Sequence, residues 1–398
     1  MPVRVATTTP GSPTMAIDFT FTDEQQAYRD ALRETFKREA GTSEQLEKLT
    51  DGHSSHHSAD LSKKLGAAGL LAPSLEEEFG GAGAGIVEEM ILLEEMTRRQ
   101  APIGAYAVSL IVAGATQKFG TPEQKALVLG NVAAGGVEAI AMSEPEAGSD
   151  VAALTTTAEK VDGGWKLNGV KVWISNAHIA DRILIVCRDK NSTGAKHEGL
   201  CMIWIDPKAD GVRVDGIDTI NGYREVNYVY LDDVFAADDA LLGQAGNGWI
   251  QLMAGLNVER LIIGGIALGQ AKLALDEALS YGKDRKQFGR SISSFQVQQH
   301  RLVDMATEIE LAHLLIYKVA ADVDRDPTAM FPKEASMAKV WATETAERAV
   351  NASFKIHGGY GYATEYPIAR QVAHSLVATT FGGTNDIQRN IIAKVMGL

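Results

Sequence analysis

Twice along this chain the spacing of apolar residues changes period, and that switch limits the fold more than any single motif. From about Asp23 to Gly136 apolar positions recur every three or four residues, as in "GIVEEMILLEEMTRR" and "SADLSKKLGAAGLLAP", the repeat of an amphipathic helix. From about Glu138 to Leu242 the texture becomes strand-like. "RILIVCR", "LCMIWID" and "VNYVYLDDV" are runs of β-branched and aromatic residues. From about Gly248 the helical repeat returns and holds to the end. A doubly wound sheet needs strands and helices in alternation, so that architecture is excluded. The order predicts an α+β multidomain chain. A flexible extension covers 1–16, an all-helical domain 17–137, a β domain of barrel-like or sandwich form 138–242, and a helical bundle 243–398.

Local signals sharpen these blocks. Thr22 precedes acidic residues and an amphipathic run, and Thr121 precedes Pro122. Both patterns predict capped helix starts. Asn168-Gly169 interrupts "GGWKLNGVKVWISN" and predicts a hairpin turn there. Several apolar faces of the last block are wide, as in bundles that also pack against another subunit.

Composition removes whole classes of function. With 45% hydrophobic and 22% charged residues, the 398-residue chain is globular and of a length for two or three domains. A net charge of -13 leaves no basic footprint for nucleic acid, though a few local cations can still hold an anion. Cys187 and Cys201 each sit in an apolar run, which predicts two buried, reduced thiols rather than a disulfide framework or a zinc site. No uninterrupted apolar run reaches the roughly 18 residues of a membrane span. The first fifteen residues lack an apolar signal core, which makes the cytoplasm the default location.

The common nucleotide and metal signatures are missing. "GGAGAG" does not have the spacing of a dinucleotide fingerprint, and no phosphate-binding loop or zinc-protease motif is present. His53, His56 and His57 lie together in "HSSHHSAD". They read as a solvated loop ahead of a helix, with metal binding the weaker alternative, and no metal is expected. Four other stretches carry polar groups suited to a ligand. "AMSEPEAGSD" is a loop of hydroxyls and free N–H groups entering the β block. "KVWISNAH" puts Trp173 and Ser175 on one face of a strand. "DRKQFGRSISSFQVQQ" is a basic turn between long helices, and "KIHGGYGYATEYPIAR" with "FGGTNDIQR" supplies glycine-rich turns near the end. A fifth feature is Glu259 in "GLNVERLIIGG". Its helical neighbours Gly255, Leu256, Ile262 and Ile263 are all apolar, so a carboxylate stands where desolvation is costly.

In order and spacing these stretches resemble the acyl-CoA dehydrogenase family, from about Phe19 to the last residue. The matching segments are Ser143 to Asp150, Trp173 to Asn176, Arg285 to Gly289, Gly358 to Gly361, and Gly383-Thr384. The resemblance implies a helical domain, a β domain and a C-terminal four-helix bundle, with FAD between the last two, in a homotetramer. It implies that Met142, Ser143, Trp173 and Ser175 line the flavin. Arg285, Gln287, Phe288, Gln296 and the turn from Lys355 through Gly358 and Gly359 would hold the FAD of a neighbouring subunit. Thr384 to Asp386 would open the last helix toward an acceptor ligand, and Ser149, Arg260 and Gly383 would lie on the acyl-CoA side.

The family abstracts a proton α to a thioester and passes a hydride to flavin N5. In most members the base is a glutamate just before the final Gly-Thr, but here that position is Gly382. A smaller branch, which includes isovaleryl-CoA and long-chain acyl-CoA dehydrogenases, carries the base on the first bundle helix before an arginine. That position here is Glu259. The expected activity is therefore FAD-dependent α,β-dehydrogenation of an acyl-CoA with Glu259 as base. The Gly382 N–H is a donor to the thioester oxygen, and an electron-transfer flavoprotein accepts the electrons. Ala373-His374 replaces the family's usual Arg-Asp pair. That departure keeps open a flavin monooxygenase or oxidase, or an enoyl-CoA reductase, on the same fold. A non-enzymatic assembly protein is a third reading, and Glu259 paired at a helix surface with Arg260 is the plain structural alternative.

Overall fold

The structure, a computed structural model, describes residues 20–398. The extension assigned to 1–16 lies outside the described residues, as do the side chains of Leu256 and Asn257. The N-terminal block folds as α1 (Asp23–Ala40), α2 (Ser43–Leu49), α3 (Ala59–Ala67), α4 (Ile86–Arg98), α5 (Ala105–Phe119) and α6 (Pro122–Ala133). Thr22 and Thr121 cap α1 and α6 as expected, each in a reciprocal box with the glutamine three residues on.

The middle block contains β1 (Glu138–Ala141), β2 (Thr157–Val161), β3 (Gly164–Ser175), β4 (Arg182–Asp189), β5 (Leu200–Ile205), β6 (Val212–Gly216) and β7 (Val226–Ala237). They form one sheet in the order β1-β4-β2-β3-β7-β6, with β5 also on β4. Every residue of β5 is buried, which explains why its sequence reads as a continuous apolar run rather than an alternation. Cys187 and Cys201 face each other across β4 and β5 as free, buried thiols.

The hairpin expected at Asn168-Gly169 is not there. The chain turns at 162–163, and β3 runs straight through 168–169, where its register with β7 slips. The Asn168 side chain accepts from the Asp233 N–H at 2.9 Å. Asn-Gly here marks an irregularity within a strand, and glycine serves a close approach: a Cβ on Gly169 would lie 2.4 Å from Thr156 Oγ1.

The last block holds α7 (Gly248–Asp284), a short hairpin of β8 (Lys286–Gln287) and β9 (Arg290–Ser291), α8 (Gln296–Arg325), α9 (Pro332–His357), α10 (Pro367–Val377) and α11 (Asn385–Met396). The expectation that no segment could cross a membrane needs one revision. By length and composition α7 passes that test; Glu259, Arg260 and Gln270 interrupt its apolar run, and an uninterrupted count therefore overlooked it. Most of its apolar side chains lie inside the protein, and the helix packs on α4, α5, α8 and α9.

A buried ion network fixes α7 against the N-terminal domain. Glu94 on α4 accepts from Arg29 of α1 at 2.9 Å, Lys272 of α7 at 2.8 Å and Tyr317 of α8 at 3.0 Å. Burial alone would raise this carboxyl, but the surrounding donors and cations outweigh it and bring it far below the ordinary carboxylate range. Lys272 thereby ties the helix that carries Glu259 to α4.

Candidate active site

Two long-range approaches build the site, one around Glu259 and one around Trp173. Glu259 lies on α7 at 7% exposure, with Ile262 and Ile263 buried beside it. The turn between α10 and α11 arrives from more than a hundred residues away and places Gly382 against it. A Cβ built on Gly382 would sit 3.5 Å from Glu259 Oε1 and 2.1 Å from Ile263 Cδ1. The carboxylate of α7 is therefore in contact with the point where a side chain from position 382 would begin. Position 382 has φ +61°, a second reason for glycine. Burial raises the Glu259 carboxyl to about 7 even though Arg260 and Lys339 pull it down. Arg260 is itself buried, and desolvation lowers its affinity for a proton.

This geometry carries a stability prediction. Gly382→Ala forces a left-handed alanine and a methyl clash, together about 2–4 kcal/mol. Thermal melting should show a lower midpoint, and adding Ile263→Val, which deletes the obstructing methyl, should recover the steric part only.

The second approach starts at a bulge. Lys171 pairs with Val229 but Ile174 pairs with Asn227, so β3 carries one extra residue between them. Trp173 sits in that bulge at φ +62° and is 60% exposed. A bulky residue in the left-handed region is costly, and here the cost turns an indole outward. Ser175 shares its face, with buried Ile174 between them. Met142 and Ser143 run alongside: the Ser143 carbonyl accepts from the Val172 N–H at 3.0 Å, and Lys171 Nζ donates to the Met142 carbonyl at 3.0 Å. Lys171 also donates to Glu144 Oε1 at 2.8 Å. Both side chains are buried. Burial would raise Glu144, but Lys171 and the Thr155 and Thr156 donors bring it down to about 2.

A third set of expected residues gathers at the far end of α7. The β8–β9 hairpin turns on Phe288 and Gly289 with φ +53° and +78°, the conformation of the tightest two-residue turn. Phe288 projects from its tip at 93% exposure. Arg285, Gln287, Phe288, Gly358 and Gly359 line one groove of about 830 Å³, with Tyr281, Phe295 and Tyr360 as aromatic walls. The Arg285 guanidinium stands 5.3 Å from the Tyr360 ring centre. Not every expected residue joins it. Gln296 opens α8 on the surface outside the groove lining. Lys355 lines a separate basic hollow with Arg301 and Arg348. Its position on the last turn of α9 sets it off from the Gly358-Gly359 turn that follows. Ser149 is exposed in the loop whose Asp150 pairs with Lys196. Thr384 caps α11, its Oγ1 accepting from the Ile387 N–H at 3.2 Å, and Asp386 is exposed in the first turn.

Residues 22–136, 139–234 and 246–397 match, in that order, the N-terminal, middle and C-terminal domains described under acyl-CoA dehydrogenase. A Bacillus subtilis (strain 168) protein named acyl-CoA dehydrogenase is 35% identical over 94% of this chain and 98% of its own length. The chain belongs to the acyl-CoA dehydrogenase family. The crystal structure of an acyl-CoA dehydrogenase from Geobacillus kaustophilus is 30% identical with a TM-score of 0.88, covering 96% of this chain and all of that one (100%). A Clostridium sporogenes (strain ATCC 15579) protein named 3-(aryl)acrylate reductase is 33% identical over 94% of this chain and 98% of its own length. Similar chains thus bear the names of dehydrogenase and reductase alike.

Two histidines from distant parts of this acyl-CoA dehydrogenase family member meet in space. His56, from the histidine-rich loop, and His374, on α10, both lie beside Tyr223, with ring centres 6.1 and 5.6 Å away. Burial lowers His56 to about 4, against an opposing pull from Glu225, so it is neutral at pH 7. The histidine-rich loop is therefore not simply solvated: His56 is half-buried against Tyr223 and His57 is buried. Among the described residues no group of three or more His, Cys, Asp or Glu is placed to hold a metal ion.

Several residues of the site were not found from sequence. Lys339, Ser336 and Gln388 support the Gly382 turn, and the Lys171–Glu144 pair supports the Trp173 bulge. For Lys339 a signal existed. It stands four residues after Ala335 and three before Ala342, a cation in a buried alanine stripe, the same kind of misfit that singled out Glu259.

Proposed function

We propose that this acyl-CoA dehydrogenase family member oxidises an acyl-CoA thioester between its α and β carbons, with Glu259 as the proton-abstracting base. The observation that carries the reading is the 3.5 Å between Glu259 Oε1 and the point where a side chain at position 382 would start. The base that most of the family carries on the C-terminal turn is supplied here from α7 to the same place. A carboxyl raised by burial to about 7 is matched to proton abstraction near neutral pH. The Gly382 N–H has no backbone acceptor among the described residues, which leaves it available to the thioester oxygen as charge develops there.

The residues present fit FAD. Gly359 has neither a left-handed φ nor an atom within 4 Å of a built Cβ, so nothing in this chain accounts for glycine there. A ligand filling the groove does account for it. Arg285 and Gln287 supply the charge and hydrogen bonds that a pyrophosphate needs, and Trp173 with Ser175 offers a flat face and a hydroxyl to the ring. Bound FAD supplies the acceptor for the hydride that leaves the β carbon. On this reading the hairpin groove serves the FAD of a neighbouring subunit in a homotetramer, and an electron-transfer flavoprotein takes the electrons onward.

One observation favours a second reading, an enoyl-CoA reductase or an oxidase: Ala373-His374 stands in place of the family's Arg-Asp pair, with His374 packed beside Tyr223. Anaerobic mixing with a panel of saturated acyl-CoA thioesters separates the two. Bleaching of the flavin, reversed by an electron-transfer flavoprotein and only slowly by oxygen, is the expected result. No bleaching, with rapid oxidation of the pre-reduced protein by a 2-enoyl-CoA or by oxygen, would transfer the assignment to the second reading.

A further inference from the structure

Lys339 is fully buried (0% exposed) on α9, and burying an ammonium is expensive unless it is engaged. Its Nζ donates to the Gly383 carbonyl at 3.2 Å and to Asn385 Oδ1 at 2.8 Å. Those two acceptors take two of the three N–H donors of an ammonium. Both belong to the turn that carries Gly382. Gln388 Nε2 holds the same turn through the Gly382 and Gly383 carbonyls at 3.0 and 3.1 Å. We propose that Lys339 is the positioning residue of the proton-abstracting site: its buried ammonium fixes the Gly382–Asn385 turn that lies against Glu259 and brings a positive charge to that side of the site. The proposal rests on Glu259 being the base.

The charges around the pair are few. From α7 Lys339 faces Glu259, and on its own helix Glu344, which is already engaged by Arg389 and Asn385. Glu259 faces Lys339 from α9 and Arg260 on its own helix. Desolvation drives both partners toward neutrality, Glu259 upward and Lys339 down to about 8. Glu259 is the main opposing charge for Lys339, while for Glu259 the Lys339 charge comes second, after Arg260. Without the cation, the carboxyl that burial has raised to about 7 loses one of the two influences opposing that rise. The base would then be protonated over more of the neutral range.

The test uses the FAD-loaded protein and three variants, Lys339→Met, Lys339→Gln and Lys339→Arg, beside Glu259→Gln. Two quantities are followed against pH: the rate of anaerobic flavin reduction by a saturated acyl-CoA, and the ionisation of Glu259 without substrate. The second is read from infrared difference spectra of wild type against Glu259→Gln. Lys339→Met should move both midpoints upward by about one pH unit, and the limiting rate at high pH should also fall because the turn loses its brace. Lys339→Arg should restore the wild-type midpoint. Lys339→Gln keeps a donor for the Gly383 carbonyl without charge, and should shift the midpoint even if the methionine variant does not fold. An unshifted midpoint, or a rate lowered equally at every pH, would overturn the inference and leave Lys339 as a brace only. Normal reduction by Glu259→Gln is a separate outcome, which removes the base assignment itself and with it the proposal.

Discussion

Glu259→Gln is expected to keep its flavin and to lose roughly two to four orders of magnitude in the rate of anaerobic flavin reduction. Glutamine fills the same space in the apolar surroundings of α7 but cannot take a proton. Among the described residues, the acidic groups of the α9 and α11 segments offer no substitute for it. Asp386 is exposed in the first turn of α11, and Glu344 is engaged by Arg389. In the wild type the reduction rate should rise with pH through a midpoint near the Glu259 value of about 7 and then level, because the ionised form is the active one. Stopped-flow spectra of the flavin give both results, and reduction of the variant at the wild-type rate would remove Glu259 from the chemistry.

The same substitution has an opposite effect on stability. A carboxyl raised from 4.5 to about 7 on folding favours the folded state only in its neutral form. That contribution is complete below about pH 4.5 and is lost as pH rises through about 7. At pH 8 the native protein therefore carries a buried charge that costs on the order of 3 kcal/mol. Glu259→Gln should melt a few degrees higher than wild type at pH 8 and at the same temperature near pH 4. Lower activity with higher stability is the signature of a residue held under strain for function.

What could be seen in the sequence, and what could not, divides by the range of the interaction involved. Helix caps such as Thr22 and Thr121 depend on four successive residues and were legible. So was the order of the three blocks, because apolar period is a local property. The misfit of Glu259 in an apolar stripe was also local. What completes the site is not. The Gly382 turn reaches Glu259 across more than a hundred residues, and the Tyr223–His56–His374 group joins three separate blocks. Asn168-Gly169 misled for the converse reason. Its local preference for a turn was overridden by β7 pairing along the whole of β3. Lys339 is the instructive omission, since a lysine is commonly taken as a surface residue and only its alanine neighbours mark it as buried.

Lys171→Met is expected to be the most destabilising single change in the β domain, and to release the cofactor. It leaves the Glu144 carboxylate buried without its cation, a loss of about 3–5 kcal/mol. It also removes the donor to the Met142 carbonyl, so the segment carrying Met142 and Ser143 is no longer clamped to β3 beside the Trp173 bulge. The left-handed Trp173 persists only while its surroundings enforce it, and loosening that segment removes the enforcement. The variant should therefore melt lower and copurify with less flavin than wild type. Acid sharpens the contrast. Glu144 is depressed to about 2, so its stabilising contribution is present above its ordinary value of 4.5 and lost only as pH falls toward 2. Wild type keeps this contribution at pH 4, and Lys171→Met lacks it throughout. Pairing the change with Glu144→Gln removes both charges and keeps an acceptor for the Thr155 and Thr156 N–H groups. The double variant should regain most of the melting temperature, because a buried pair removed whole costs far less than half a pair left behind. Failure of that rescue would mean that Lys171 acts through packing rather than charge, and the flavin wall would then need another anchor.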